Sequence, residues 1–167
     1  MHSPNDISVN KNISSLKELC SKIDFEYKEL IDVIFNNENK NYYDHKIIFK
    51  KSGEIRELHA VRGMLKILQK KILNWLQSDY PPKSYAHGFT KGKGIASNAK
   101  PHVRKKIIIK LDIENFFPTI NYPRVNGLFQ NAPFFFNENI SMSLAKISCL
   151  DFKERELPQG GVLSPYI

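Results

Sequence analysis

Asp112 stands at the penultimate position of the run KIIIKLDI at residues 106–113, which is β-branched and uncharged over 107–109 and reads as a buried strand. A carboxylate at the tip of a buried strand is costly unless something compensates it, and a divalent metal ion would do so. Capping the next turn is the plainer use of the same residue. The sequence continues Ile113-Glu114-Asn115-Phe116-Phe117-Pro118. A second segment, LPQGGVLSP at 157–165, joins Gln159 to two adjacent glycines. Glycines let a backbone pass close to another molecule, and a glutamine amide both donates and accepts. A loop entering a helix is the plainer reading there.

Charge adds a third signal. Residues 1–50 carry 7 basic and 8 acidic groups, residues 51–110 carry 14 and 3, and residues 111–167 carry 4 and 6. The whole basic excess, net +11, therefore sits in the middle third of a chain whose total is +8. Such asymmetry suits a polyanionic partner, because phosphate neutralisation dominates nucleic-acid affinity. A solvated lysine-rich surface is the alternative.

These segments need elements to position them. At 167 residues, 41% apolar and 25% charged, the chain has the composition of one globular domain with or without a helical extension. No apolar run approaches the ~20 residues of a membrane span, and residues 1–10 have no signal-peptide core. Cys20 and Cys149 make no disulfide framework, and no Cys/His set has zinc-finger spacing. A soluble, reduced, cytoplasmic protein is expected.

The apolar period predicts a helix over 14–35, a polar break at 36–41 and a hairpin over 46–58 that turns at Ser52-Gly53. A long helix follows over 61–77, stopped by Pro81-Pro82, then a Gly- and Lys-rich loop over 84–94 and a short helix over 95–104. After the 106–113 strand, helices are expected over 121–130, capped by Asn121, and 137–149; Ser164-Pro165 reads as the start of another.

Taken together, the segments resemble a bacterial reverse transcriptase, most closely of the retron type. Leu111-Asp112-Ile113 with Phe116-Phe117 is similar to the first catalytic palm motif, and 157–165 to the PQG…SP motif that follows it. Ile55-Arg56 through Leu65 and Gln69 resembles a fingers motif with its trailing helix, and Ala86-His87-Gly88-Phe89 the next one. Asn98-Ala99-Lys100-Pro101-His102 fits the NAxxH signature of retron enzymes. The five segments stand in the family's order between residues 46 and 167.

The resemblance implies an α+β fold: fingers plus an incomplete palm, an antiparallel sheet with packed helices. It divides the chain into an N-terminal helical extension (1–45), a fingers region (46–105) and the first part of a palm (106–167). It implies RNA-directed DNA polymerase chemistry with two Mg²⁺ ions. Asp112 would be a metal ligand, with the carbonyl of Ile113 close by. Arg56 with Lys50 or Lys51 would clamp the triphosphate, and Gln159 would touch the incoming nucleotide. Phe117 would pack under its sugar and reject a 2′-hydroxyl. Lys91, Lys93, Asn98, His102, Arg104 and Lys105 would meet RNA, and His87 would hold its own loop. The implied partners are template RNA, the RNA/DNA hybrid and deoxynucleoside triphosphates, with no membrane; retron enzymes are also associated with a structured noncoding RNA and phage defence.

Two departures qualify this. The family's Tyr-x-Asp-Asp hairpin does not occur, and no adjacent Asp-Asp pair does. The expectation is a chain truncated before that hairpin, inactive alone and marginally stable, with a second chain as one possible source of the missing palm and thumb. Gly161-Val162-Leu163 is nearer to group II intron wording, so a group II-like enzyme stays open. A non-catalytic RNA-binding module or split subunit using the basic 51–110 block also stays open.

Overall fold

The computed structural model describes residues 13–35, 42–49, 53–150 and 156–167. The polar break at 36–41, both candidate clamp lysines, Lys50 and Lys51, and Ser52 of the expected turn lie outside the described residues.

The helix expected over 14–35 is two helices, α1 (Leu16–Ile23) and α2 (Tyr27–Phe35). Ser15 caps α1 by accepting from the Glu18 N–H, and Asp24 closes it with left-handed backbone at φ 51°. Aspartate tolerates that conformation better than most L-residues, so it can end a helix that the apolar period alone would continue. The break lets both helices turn their apolar faces, Leu19 and Ile23 from one and Leu30, Val33 and Ile34 from the other, into one core.

Next come β1 (Tyr43–Phe49) and β2 (Ile55–Val61), an antiparallel hairpin with Tyr43 opposite Val61 and Phe49 opposite Ile55. Gly53, at φ 86°, stands at its turn. Only the base is buried: Tyr43, His59 and Val61 enter the core, while Ile47, Phe49 and Ile55 are exposed toward the tip. The helix α3 (Gly63–Asp79) follows directly and buries Leu65, Leu68, Ile72, Trp75 and Leu76 along one face.

Beyond the proline pair, α4 (Ile95–Ala99) runs into a single 3-10 turn (Lys100–His102). Then come α5 (Phe116–Thr119), α6 (Tyr122–Gln130) and α7 (Glu138–Ser148). Asn121 and Asn137 cap the last two, accepting from the N–H groups of Arg124 and Ile140. α6 packs on α7, and α1, α2 and α7 surround α3. A single buried cluster draws Leu30, Leu68 and Phe129 together, so all three expected segments share one core.

The expected strand at 106–113 does not form. That stretch is irregular and exposed, with Ile107 81% and Leu111 88% accessible. A β-branched run becomes a strand only where a neighbour completes its backbone hydrogen bonds. Among the described residues β1–β2 is the one sheet, and no strand lies beside 106–113. The fold is thus mixed helix with a two-stranded antiparallel sheet. At Ser164-Pro165, residues 164–166 form a turn, the Leu163 carbonyl accepting from the N–H groups of Tyr166 and Ile167, the second bond having helical i+4 spacing.

This difference can be read in stability. Leu144 is fully buried on α7, so Leu144→Ala should cost about 2–5 kcal/mol in urea unfolding. Ile109→Ala, at 79% exposure, should cost less than about 0.5 kcal/mol. Equal losses at the two sites would mean that residues 106–113 are buried after all.

Candidate functional site

The site begins with a buried amide. Gln69 lies on the apolar face of α3 and is fully buried. Its Nε2 donates to the Ile147 carbonyl of α7 at 2.7 Å, and its Oε1 accepts from the Val162 N–H at 2.9 Å. One side chain therefore ties α3 to α7 and to the loop carrying the double glycine. Tyr166 fastens the same loop farther on, donating to the Tyr80 carbonyl at 2.6 Å, with the Leu76 carbonyl also 3.1 Å away. Burial pushes the Tyr166 phenol up to about 12, so it stays a neutral donor at physiological pH.

The loop then meets β2 backbone to backbone. The His59 N–H donates to the Gln159 carbonyl at 2.7 Å. Gly160, at φ 105°, lies so close that a Cβ would stand 3.2 Å from the His59 carbonyl oxygen. At Gly161 a Cβ would fall 2.5 Å from Ser164 Oγ and 2.8 Å from Pro158 Cγ. The close approach of neighbouring atoms requires both glycines, and at Gly160 the backbone conformation does so too. The side chains meet as well: Arg56 Nε donates to Gln159 Oε1 at 2.7 Å.

Arg56 and Gln159 form part of the wall of an open cleft of about 1200 Å³, which Asp112, Ile113 and Phe117 also line. Five site residues from distant positions in the sequence therefore share one space. Asp112 is exposed, with Oδ1 accepting from the Ile113 N–H at 3.1 Å. Phe117 is half-buried, its ring edge-on to Phe116 with centroids 5.6 Å apart. Asn115, left-handed at φ 51°, makes the turn that carries the chain from Asp112 into α5.

Sequence reasoning overlooked other groups on these walls. Glu54, Glu57, Glu114 and Glu156 line the cleft beside Asp112, as does His59. Proximity to the motifs was the available signal, since Glu114 is two residues past Asp112 and Glu156 directly precedes Leu157. The oxygen donors suit a hard cation such as Mg²⁺ in kind. They do not complete a site: among the described residues Asp112 belongs to no group of three ligand side chains near enough to share an ion.

The expected RNA-facing residues lie elsewhere. Lys91, Asn98, His102, Arg104 and Lys105 are exposed. Lys93 is half-buried, and its ammonium is committed to backbone, donating to the carbonyls of Ser84 at 2.5 Å and Ala86 at 2.9 Å. His87 Nδ1 lies 3.0 Å from Ser97 Oγ and pins the loop to α4. Among the described residues no helix is long and apolar enough to cross a membrane.

Comparison with known proteins gives this arrangement a family. No family model matches the chain. It is 34% identical over 157 residues to the retron Se72 reverse transcriptase of Salmonella heidelberg, covering 93% of this chain and 40% of that protein. It is 32% identical over 168 residues to the retron Ec86 reverse transcriptase of Escherichia coli, covering 99% and 46%. Over 91 residues, 54% of this chain and 21% of the relative, it is 41% identical to the retron Mx65 reverse transcriptase of Myxococcus xanthus. The chain is thus similar to part of the reverse transcriptases, a family of RNA-directed DNA polymerases. Within that family its relatives are of the retron type, and it spans less than half the length of each of these three.

The buried amide gives the prediction here. Gln69→Leu keeps the bulk but strands the Ile147 carbonyl and the Val162 N–H. Thermal or urea unfolding should show a loss of at least ~2 kcal/mol. Unchanged stability would mean that the loop is held without Gln69.

Proposed function

We propose that this chain forms the nucleotide-facing part of a retron-type reverse transcriptase, a polymerase that copies a structured RNA into DNA. The observation that supports it is the sharing of one cleft by Arg56, Asp112, Phe117 and Gln159. Arg56, with Lys50 or Lys51, meets the triphosphate of the incoming deoxynucleotide; a guanidinium is suited to phosphate by its charge and its fork of donors. Gln159 is held against Arg56 and contacts the sugar or a phosphate. Phe117 packs its outer face beneath the sugar, where a 2′-hydroxyl would collide.

Asp112 would give one oxygen ligand toward Mg²⁺, with the Ile113 carbonyl as a second candidate. When bound, the metal supplies charge neutralisation at the reacting phosphate. The division into N-terminal extension, fingers and palm is part of the same proposal.

A second reading rests on a different surface. Lys100, Arg104, Lys105, Lys106 and Lys110 are all exposed within one short stretch. An RNA-binding module acting without catalysis would use them to neutralise phosphates.

Primer extension on an RNA template by the whole polymerase separates the two. Extension that disappears in Asp112→Asn while RNA binding persists supports catalysis at this cleft. Salt-sensitive RNA binding with no extension supports the module. In the active enzyme, Arg56→Ala should raise the KM for deoxynucleotide by about tenfold or more, and Phe117→Ala should admit ribonucleotides. An unchanged KM in Arg56→Ala would remove that residue from the nucleotide site.

The basic surface has its own test. Arg104→Glu with Lys105→Glu should weaken RNA binding and flatten the slope of log K against log salt by about 0.7 for each phosphate that is no longer neutralised. Unaltered affinity and slope would exclude both residues from the RNA surface.

A further inference from the structure

We propose that the β1–β2 hairpin carries a binding site for a transition-metal dication, best matched by Zn²⁺, built from His45, Glu57 and His59. Glu57 and His59 also line the cleft that Asp112 lines, but the site is built by the hairpin alone and does not rest on the polymerase reading.

Strand register makes the site. His45 stands directly opposite His59, and Glu57 precedes His59 by two residues on the same face. Opposed residues on antiparallel strands have Cβ atoms only about 5 Å apart, so both imidazoles can reach one point. The rings are stacked, with centroids 4.8 Å apart and planes 24° from parallel. His45 Nε2 lies 3.3 Å from Glu57 Oε2. One ligand atom from each of the three side chains falls within 4.8 Å of the others.

Ligand atoms around tetrahedral zinc, each ~2.0–2.2 Å from the metal, stand about 3.4 Å apart. The cluster therefore has to close by about an ångström. The mobile partners for that movement are His45 and Glu57, whose side chains are about half exposed, at 49% and 45%. His59, 6% exposed at the hairpin base, is the fixed post. Two imidazole nitrogens and one carboxylate oxygen form a borderline donor set that suits zinc, whereas Mg²⁺ and Ca²⁺ prefer oxygen throughout. The exposed side leaves a fourth position to water.

An ion here would cross-link β1 to β2 at the point where β2 also carries the Gln159 loop through the His59 N–H. It would brace the strand on which Arg56 stands without touching the nucleotide cleft's carboxylate at Asp112. Nothing in the linear order of residues signals this site, because its three members have no metal-motif spacing and meet only through the hairpin.

The test uses the full chain after chelator treatment, titrated with Zn²⁺ by calorimetry and with Co²⁺ by visible absorption. One equivalent should bind, with the absorption bands of a low-symmetry, near-tetrahedral Co²⁺ site. His45→Ala and Glu57→Gln change exposed side chains, so both should keep the wild-type circular dichroism. Each should weaken Zn²⁺ binding by about tenfold or more. His87→Ala, outside the cluster, should bind like wild type, and millimolar Mg²⁺ should not compete. Absence of saturable Zn²⁺ binding, full affinity in His45→Ala, or displacement by Mg²⁺ would each overturn the proposal.

Discussion

The structure depends on the satisfaction of one amide. Gln69 is placed by helical period among Leu65, Leu68 and Ile72, where a polar side chain is tolerated only if both ends find partners. They do, on α7 and on the double-glycine loop. A leucine at this position could pack, but it could not set the register of a loop. The consequences run outward from there. The loop is held, its glycines admit the β2 backbone, Gln159 reaches Arg56, and a cleft forms between the hairpin and the segment around Asp112. Positioning is thus relayed from the core to a site whose side chains are themselves largely exposed.

Electrostatics divides the molecule in two. The cleft gathers Glu54, Glu57, Asp112, Glu114 and Glu156, with Arg56 as its described cation. Residues 100–110 carry five exposed lysines and arginines and no acidic residue. Opposite signs on separate surfaces fit separate tasks: carboxylates can assist cations, and lysines can meet phosphates. Lys93 shows why charge counting overstates the second surface. Its ammonium is directed at backbone carbonyls, so its charge helps close a loop.

Much of the local structure was legible in the sequence because local chemistry decides it. The hairpin, α3, the Asn121 cap and the proline stop follow from period, cap and turn residues within a few positions of each other. The failures have a different character. Asp24 interrupts a continuous apolar period through a left-handed backbone that periodicity does not register. Residues 106–113 carry the composition of a strand, but strand formation is decided by a neighbour. Of the site, the motifs named Asp112, Phe117, Arg56 and Gln159, yet the bond joining the last two spans 103 positions and could not be read from either.

That exposed stretch changes the ground on which Asp112 stands. From sequence, the case for a metal ligand was desolvation: a carboxylate at the end of a buried strand demands compensation. Asp112 is exposed, so it makes no such demand, and its own Ile113 N–H already supplies a partner. What supports the assignment instead is location. The carboxylate opens on the same cleft as Gln159 and Arg56, and not into the interior or away from the glycine-bearing loop. An exposed oxygen would suit a hard cation such as Mg²⁺, which dehydrates reluctantly and usually keeps several waters. The strand-like composition of 106–113 and the exposure of its isoleucines thus belong together: among the described residues no neighbouring strand pairs with this apolar stretch, so it lies open beside the cleft residue Asp112.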